Sequence, residues 1–227
     1  MEQYKKLSAK SITTDIHEHV KEIGREFNSG FEELRKYPKS VTIFGSSHST
    51  PMSPHYRDSQ ELAYRIVKEL GYSVVTGGGP GIMAAANLGA QEAQGKSIGF
   101  SINLPNEQHT NAFTTSSVHF NYFFVRKAML TFSAEAFVFF PGGFGTFDEF
   151  FSIITLVQTN KIPRIPIILV GKDFWNGLRQ FMISHMLEKH HAISHHDLEL
   201  FTITDDMDKV LEIIKVAPVS KWWQTMA

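Results

Sequence analysis

The stretch PGGFGTFDEF, Pro141 to Phe150, follows the apolar run AEAFVFF (134–140) and precedes SIITLVQTNK (152–161). An apolar run that stops at proline and glycine and resumes with helical spacing reads as a buried strand turning into a helix. One glycine usually suffices for such a turn, and each is costly to order. Here three glycines are used, and Asp148 and Glu149 stand just inside the helix. A glycine turn that opens a helix presents free backbone N–H groups and the positive end of the helix dipole, which suits a phosphate or another anion.

The same strand-to-glycine pattern occurs twice upstream. SVTIFGSS (40–47) and YSVVTGGG (72–79) are apolar runs ending in Gly45-Ser46-Ser47 and in Gly77-Gly78-Gly79-Pro80-Gly81. KSIGFSI (96–102), IPIILVG (165–171) and LFTIT (200–204) read as further strands. Between them lie helical stretches: 57–70, closed by Gly71, then 80–94, 121–133, 147–161, 172–187 and 205–216. Strands alternating with helices indicate parallel βαβ units. Continuous Val/Ile/Phe runs are expected where helices cover both faces of the sheet. The fold class is therefore α/β: a doubly wound, mostly parallel, Rossmann-like single domain. Its span is 39–227. Residues 1–38 form an N-terminal helical extension, with Ile16, Val20, Ile23, Phe27, Phe31 and Leu34 three or four apart and Pro38 as its end. That helix is expected to pack on the body or on a partner subunit.

In an open parallel sheet the three glycine turns share one edge, at the carboxyl ends of the strands, where ligands bind. A single glycine turn can merely let a strand approach a helix. Three on one edge favour a ligand site. There is no GxxxxGK[ST], and GGGPG lacks the G-x-G-x-x-G spacing with a downstream acid. The ligand expected is a phosphate carrier smaller than a dinucleotide, and a mononucleotide fits.

Bulk composition narrows the partners. The 227 residues include 22 Lys+Arg and 23 Asp+Glu, a net charge of −1, so no bulk field attracts nucleic acid or an acidic membrane. With no cysteine, a disulfide framework and thiolate metal sites are excluded. The polar N-terminus carries no secretory signal, and no apolar run reaches the ~18 residues of a membrane span. A cytoplasmic chain is expected. His185, His190, His191, His195 and His196 cluster without the carboxylate or cysteine pattern of a metal site, so no metal is expected. Phe120, Tyr122, Phe123 and Phe124 suit core, dimer interface or base stacking alike. Trp222 and Trp223 suit docking on the body or on a partner.

Glu149 lies three residues past Thr146 and so on the same helix side, about one turn apart. The dipole and nearby N–H groups would favour its anion, making it a base or a stabiliser of positive charge. Asp148 reads as an ordinary first-turn acid. Arg126, in FFVRKAML, is by pattern either a solvated helix edge or a cation aimed into the site.

GGGPGIMAAAN, LPNEQHTN, YFFVRKAM and PGGFGTFDE, in that order and spacing, resemble the LOG (Lonely Guy) family over roughly residues 40–216. Members are often labelled lysine decarboxylase-like and are cytokinin riboside 5'-monophosphate phosphoribohydrolases or related nucleotide nucleosidases. The resemblance implies a Rossmann-like, usually dimeric protein that splits nucleoside 5'-monophosphates into base and ribose 5-phosphate, with no cofactor. It implies Arg126 and Glu149 as the catalytic pair, with Gly78, Gly79, Gly81, Gly142, Gly143, Gly145 and Thr146 in the phosphate-binding loops. Gly45, Ser46, Met83 and Lys127 are possible further substrate contacts, Lys127 matching the second basic position of the motif. A homodimer or higher homo-oligomer is expected. The chain departs from longer members at Ala84, where they typically have glutamate, and this bears on substrate preference. No lysine is marked for a pyridoxal phosphate Schiff base. The alternatives are a non-catalytic nucleotide carrier and a broad-specificity salvage nucleosidase.

Overall fold

The computed structural model of the chain describes residues 9–37, 39–103 and 110–217. Pro38, residues 104–109 of LPNEQHTN, and Trp222-Trp223 lie outside those residues. The elements run α1 (Ala9–Leu34), β1 (Ser40–Phe44), α2 (Pro54–Arg65), β2 (Ser73–Thr76), α3 (Ile82–Glu92), β3 (Ser97–Ile102) and β4 (Ser116–Phe120). They continue as α4 (Phe123–Phe132), β5 (Ala136–Phe139), α5 (Phe144–Gln158), β6 (Ile167–Leu169), α6 (Lys172–Phe181), β7 (Thr202–Ile203) and α7 (Met207–Lys215). Single π-helical segments extend α2 and α6. The first of these closes on Gly71, whose φ of +68° is the left-handed conformation of a helix C-cap.

Seven strands pair in the order β4-β3-β2-β1-β5-β6-β7, every pair parallel. Each central strand is buried throughout because it feeds two cores. Phe44, Phe137, Phe139, Ile167 and Leu169 point to one face, against Leu130, Phe150 and Trp175 of α4, α5 and α6. The alternate residues Val41, Ile43, Val138, Phe140, Ile168 and Val170 point to the other, against Leu62, Ile82 and Val210 of α2, α3 and α7. This is the double winding expected from the runs.

One strand, β4, is absent from the sequence reading. Its sequence, SSVHF, is short and polar at alternate positions, as suits an exposed edge, and it lacks the continuous apolar signature. Its register is set by a five-residue ladder on β3, from Ile98↔Ser116 to Ile102↔Phe120. The N-terminal stripe also divides. Leu34 is buried and Ile23, Phe27 and Phe31 pack on the core, whereas Ile16 and Val20 are exposed. Polar contacts seat the packed half: the Glu33 carboxylate accepts from Ser116, Tyr37 and Lys36, and Glu26 accepts from the Asn121 N–H.

The chain moves outward from β1 to β4, then crosses back to β5 on the other side of β1. The order therefore reverses between β1 and β5, which opens a crevice at their carboxyl ends. The turns around it are stitched together. Ser46 N–H donates to the Pro141 carbonyl at 3.0 Å, and Ile82 N–H donates to the Ser46 carbonyl at 3.0 Å. Among the described residues no helix is long and apolar enough to cross a membrane.

The second layer depends on a close crossing of α2 and α3. A Cβ at Gly89 would fall inside the Gln60 carbonyl oxygen and 3.1 Å from the Tyr64 nitrogen, both backbone atoms that cannot turn away. Gly89→Ala is expected to destabilise the fold by about 2 kcal/mol, after allowing for alanine's better helix propensity, or roughly 4–8 °C in Tm. A thermal melt checks this, and an unchanged Tm would mean that the two helices do not approach so closely.

Candidate active site

A cavity of about 320 Å³ lies at the crevice. The turn after β1 supplies Phe44, Gly45, Ser46, Ser47 and His48; the turn after β2 supplies Gly77, with Met83 from α3. Phe123 and Arg126 reach it from α4, and Gly143 to Thr146, Asp148 and Glu149 from the start of α5.

Arg126 settles the alternative that its sequence left open: it is aimed inward. Its side chain is 15% exposed, and its Nε donates to the Phe100 carbonyl at 2.7 Å. The guanidinium then stands 3.8 Å from Glu149 Oε1. Glu149 is still more buried, at 8% of its side chain, and its Oε2 has no hydrogen-bond partner among the described residues.

The charge state of Glu149 departs from the sequence expectation. Burial pushes its carboxyl from an ordinary 4.5 up to about 7; Arg126 and then Lys127 pull it down, and Asp148 adds to the rise. The dipole argument favours the anion by at most a couple of kcal/mol, and loss of hydration outweighs it. Burial likewise lowers the proton affinity of Arg126, while Glu149 raises it. Arg126 and Glu149 are thus a desolvated pair too far apart for a good hydrogen bond.

The glycines divide by role. Gly143 and Gly145 line the cavity, and a Cβ on either would meet open space. Gly143 caps α5, and its carbonyl accepts from Thr146 N–H and Phe147 N–H. The N–H groups of Phe144 and Gly145 have no carbonyl of their own helix to bond, which is the arrangement that suits an anion. Gly78, Gly79, Gly81 and Gly142, expected in phosphate loops, lie outside the cavity lining. Gly78 takes φ +73° and spends its N–H on Thr76 Oγ1 at 2.9 Å. The carbonyls of Gly78 and Gly79 accept from Asn111 Nδ2. Gly81, at φ +67°, touches the Ser46 carbonyl where a side chain would clash, and Gly142 packs on Thr146. For Gly78, Gly81 and Gly142 the bland role of allowing close turns describes the contacts.

Lys127 points elsewhere. Its Nζ pairs with Asp148 Oδ2 at 2.6 Å and donates to Ser152 Oγ at 3.1 Å, on the outer side of the α4–α5 contact. Asp148 is therefore Lys127's partner as well as a residue near the dipole. Ala84 is buried in α3 and does not line the cavity, whereas its neighbour Met83 does. Phe120 is core; Phe123 and Phe124 are about half exposed, and only Phe123 of that run lines the cavity. Among the described residues no group of three or more His, Asp or Glu could hold a metal ion, the histidine tract included.

Two features were not singled out in the sequence. His48 belongs to the cavity wall beside Ser47 of the first glycine turn, with Ser47 Oγ 3.3 Å from His48 Nδ1. Extending that turn by one residue would have found it. Asn87 and Asn111 shape the GGGP turn: Thr76 Oγ1 donates to Asn87 Oδ1 at 2.7 Å, and Asn111 Nδ2 donates to the same oxygen at 2.9 Å. An asparagine within an alanine-rich helix was the available signal for Asn87.

The shifted carboxyl gives a stability signature. Between pH 4.5 and about 7 the folded chain holds a proton that the unfolded chain has released. Glu149's contribution is therefore full below that window and falls as pH rises, by on the order of 3 kcal/mol in total. Urea unfolding of wild type and Glu149→Gln at pH 5 and pH 8 checks it. The difference in unfolding free energy should move by about 2.5 kcal/mol in the variant's favour at the higher pH, part of the effect being already lost at pH 5. No movement would show an ordinary carboxylate.

Comparison with known proteins bears on the family and the fold. A family model described as "Possible lysine decarboxylase" matches residues 83–214, more than half of the chain. Cytokinin riboside 5'-monophosphate phosphoribohydrolase LOG2 of Arabidopsis thaliana is 26% identical over 158 residues, covering 66% of this chain and 71% of that protein. Among solved structures, the molybdenum cofactor binding protein of Rippkaea orientalis superposes with a TM-score of 0.57 at 20% identity, over 78% of this chain and 95% of that one. The molybdenum cofactor carrier protein of Chlamydomonas reinhardtii gives 0.55 at 19%, over 78% and 96%. At those identities the likeness is one of fold alone. The matched span takes in Arg126, Glu149 and the whole PGGFGTFDEF stretch, and the chain belongs to the LOG family, whose model bears the lysine decarboxylase description.

Proposed function

We propose that this chain hydrolyses the N-glycosidic bond of nucleoside 5'-monophosphates, with AMP or an N6-modified AMP first among them. The products are the free base and ribose 5-phosphate. The observation that carries this reading is the Arg126–Glu149 pair, buried together beside the open N-terminus of α5. A pure nucleotide binder has no use for a desolvated carboxylate at that place. Membership of the LOG family supports the reaction class, and the phosphoribohydrolase relative supports the substrate class.

In this reading the phosphate sits at the N–H groups of Phe144 and Gly145, with Thr146 beside them. The cavity of about 320 Å³ is at the small end of ligand sites and suits one nucleotide. Phe123 and Phe144, both exposed at its wall, offer ring faces to the base. Anchoring the phosphate positions the anomeric carbon over Glu149. As the C–N bond breaks, the ribose gains oxocarbenium character. Ionised Glu149 stabilises that charge and accepts a proton from the attacking water, whose oxygen bonds to the anomeric carbon. The departing base takes up a proton. Arg126, with Nε already committed to Phe100, directs its remaining N–H groups to phosphate or ribose oxygens and keeps Glu149 ionisable.

Chromatography of reactions with AMP, GMP, CMP, UMP and isopentenyl-AMP tests the proposal. Base and ribose 5-phosphate should appear from at least one substrate, and Glu149→Gln should lower kcat by 10²-fold or more. In the wild type kcat/KM should rise with pH through about 7, as Glu149 ionises. Release from many bases alike would mark a salvage nucleosidase. Nucleotide binding without release from any of the five would refute the hydrolase and leave a carrier.

A further inference from the structure

We infer that Gly77 is a positioning residue for the reaction: its bare Cα is the floor on which the Arg126 guanidinium lies, and it thereby sets the approach of Arg126 to Glu149. The inference rests on the proposed hydrolase for its catalytic meaning, though not for its geometry. A Cβ at Gly77 would fall inside Arg126 Nη2 and 2.8 Å from Met83 Sδ. Gly77 is not among the glycines with positive φ, so its backbone conformation admits alanine and the exclusion is purely one of space. This separates it from Gly78 and Gly81, where left-handed φ already demands glycine.

Of the two neighbours, Met83 can turn away, being flexible and on the cavity wall. Arg126 cannot. Its Nε is held by the Phe100 carbonyl at 2.7 Å, its side chain is mostly buried, and Glu149 faces it at 3.8 Å. A methyl group beneath the guanidinium must either break the Phe100 bond or carry the Nη atoms to another position relative to Glu149. The other turn glycines meet different atoms: Gly45 meets Ile82, Gly81 the Ser46 backbone and Gly142 Thr146. The first glycine of GGGPG thus serves the guanidinium, not the phosphate. The charged groups that bear on Glu149 besides Arg126 are Lys127 and Asp148, which pair with each other at 2.6 Å, and His48 lies on the same cavity wall. None of these touches Gly77 among the neighbours that a Cβ would meet.

The test is a cycle of wild type, Gly77→Ala, Arg126→Ala and the double variant, with two readouts. The first needs no turnover: the carboxyl of Glu149 is titrated by carbon-13 NMR in the nucleotide-free protein. Gly77→Ala should titrate well above wild type, as Arg126→Ala does, and the double variant should match Arg126→Ala alone. The second is kcat/KM, which Gly77→Ala should lower by about 10–100-fold, with no further loss in the Arg126→Ala background. Should Gly77→Ala fold poorly, its Tm deficit must vanish in that same background, where the obstructing guanidinium is gone. A Glu149 titration unchanged by Gly77→Ala but moved by Arg126→Ala would overturn the inference and leave Gly77 a packing glycine. Coupled NMR shifts in a protein that turns over none of the nucleotides would instead sink the hydrolase and keep the positioning role.

Discussion

Arg126 and Glu149 lie 3.8 Å apart, each largely cut off from solvent, and one carboxylate oxygen has no hydrogen-bond partner among the described residues. Burying two ionisable groups at that separation costs free energy that the contact itself does not return. The rest of the domain offsets it. The apolar core on that face of the sheet presses α4 and α5 onto it through Val125, Leu130, Phe150 and Ile153, which lie near the pair in sequence and are fully buried. The Phe100 carbonyl at the end of β3 takes Arg126 Nε, so a strand two places from the switch point holds the guanidinium. Well-packed apolar residues on either side of an ill-satisfied charged pair are what a strained functional site looks like.

The crevice itself depends on turns that hold one another. Ser46 bonds to Pro141 across β1 and β5 through its N–H, and its carbonyl receives the first N–H of α3. Gly81 and Gly142 make these approaches possible by having no side chain to fill them. The net of buried Thr76, Asn87 and Ser97 with half-buried Asn111 then fixes the GGGP turn from behind. The conspicuous glycines thus differ: a side chain at Gly45, Gly77, Gly81 or Gly142 would collide with its neighbours, whereas Gly143 and Gly145 at the head of α5 face open space. The same fold is shared by a molybdenum cofactor binding protein and a molybdenum cofactor carrier protein. The fold supplies the edge, and the side chains that face it choose the chemistry.

Much of this was legible in the chain. The strand–turn–helix alternation rests on local physics: continuous Val/Ile/Phe runs, glycine at the turns, and helical spacing between them. The runs read as doubly covered strands because both sets of alternate residues are apolar, as the two cores bear out. β4 was not legible because SSVHF owes its strand conformation to pairing with β3 and not to its own hydrophobicity. Along α1 the apolar stripe is even, yet among its described side chains the apolar contacts with the core begin only at Ile23, since periodicity records a face and not what covers it.

At the site the division is sharper. Glu149's place in the first turns of α5, and the presence of free N–H groups at the head of that helix, are determined by residue order alone. The direction of Arg126 was not, because a cation in an apolar helix can face either way until the sheet beneath it exists. Nor was the protonation of Glu149: local sequence puts it near a helix dipole, whereas the fold removes its water, and desolvation is the stronger of the two effects. Lys127 and Arg126 are neighbours in sequence and part in space, one outward to Asp148 and one inward to Glu149. The sequence by itself determined the elements, their order and the residue types at the edge of the sheet. Only the tertiary structure decided which of those residues lose solvent, and loss of solvent is what turns an ordinary carboxylate and guanidinium into a candidate catalytic pair.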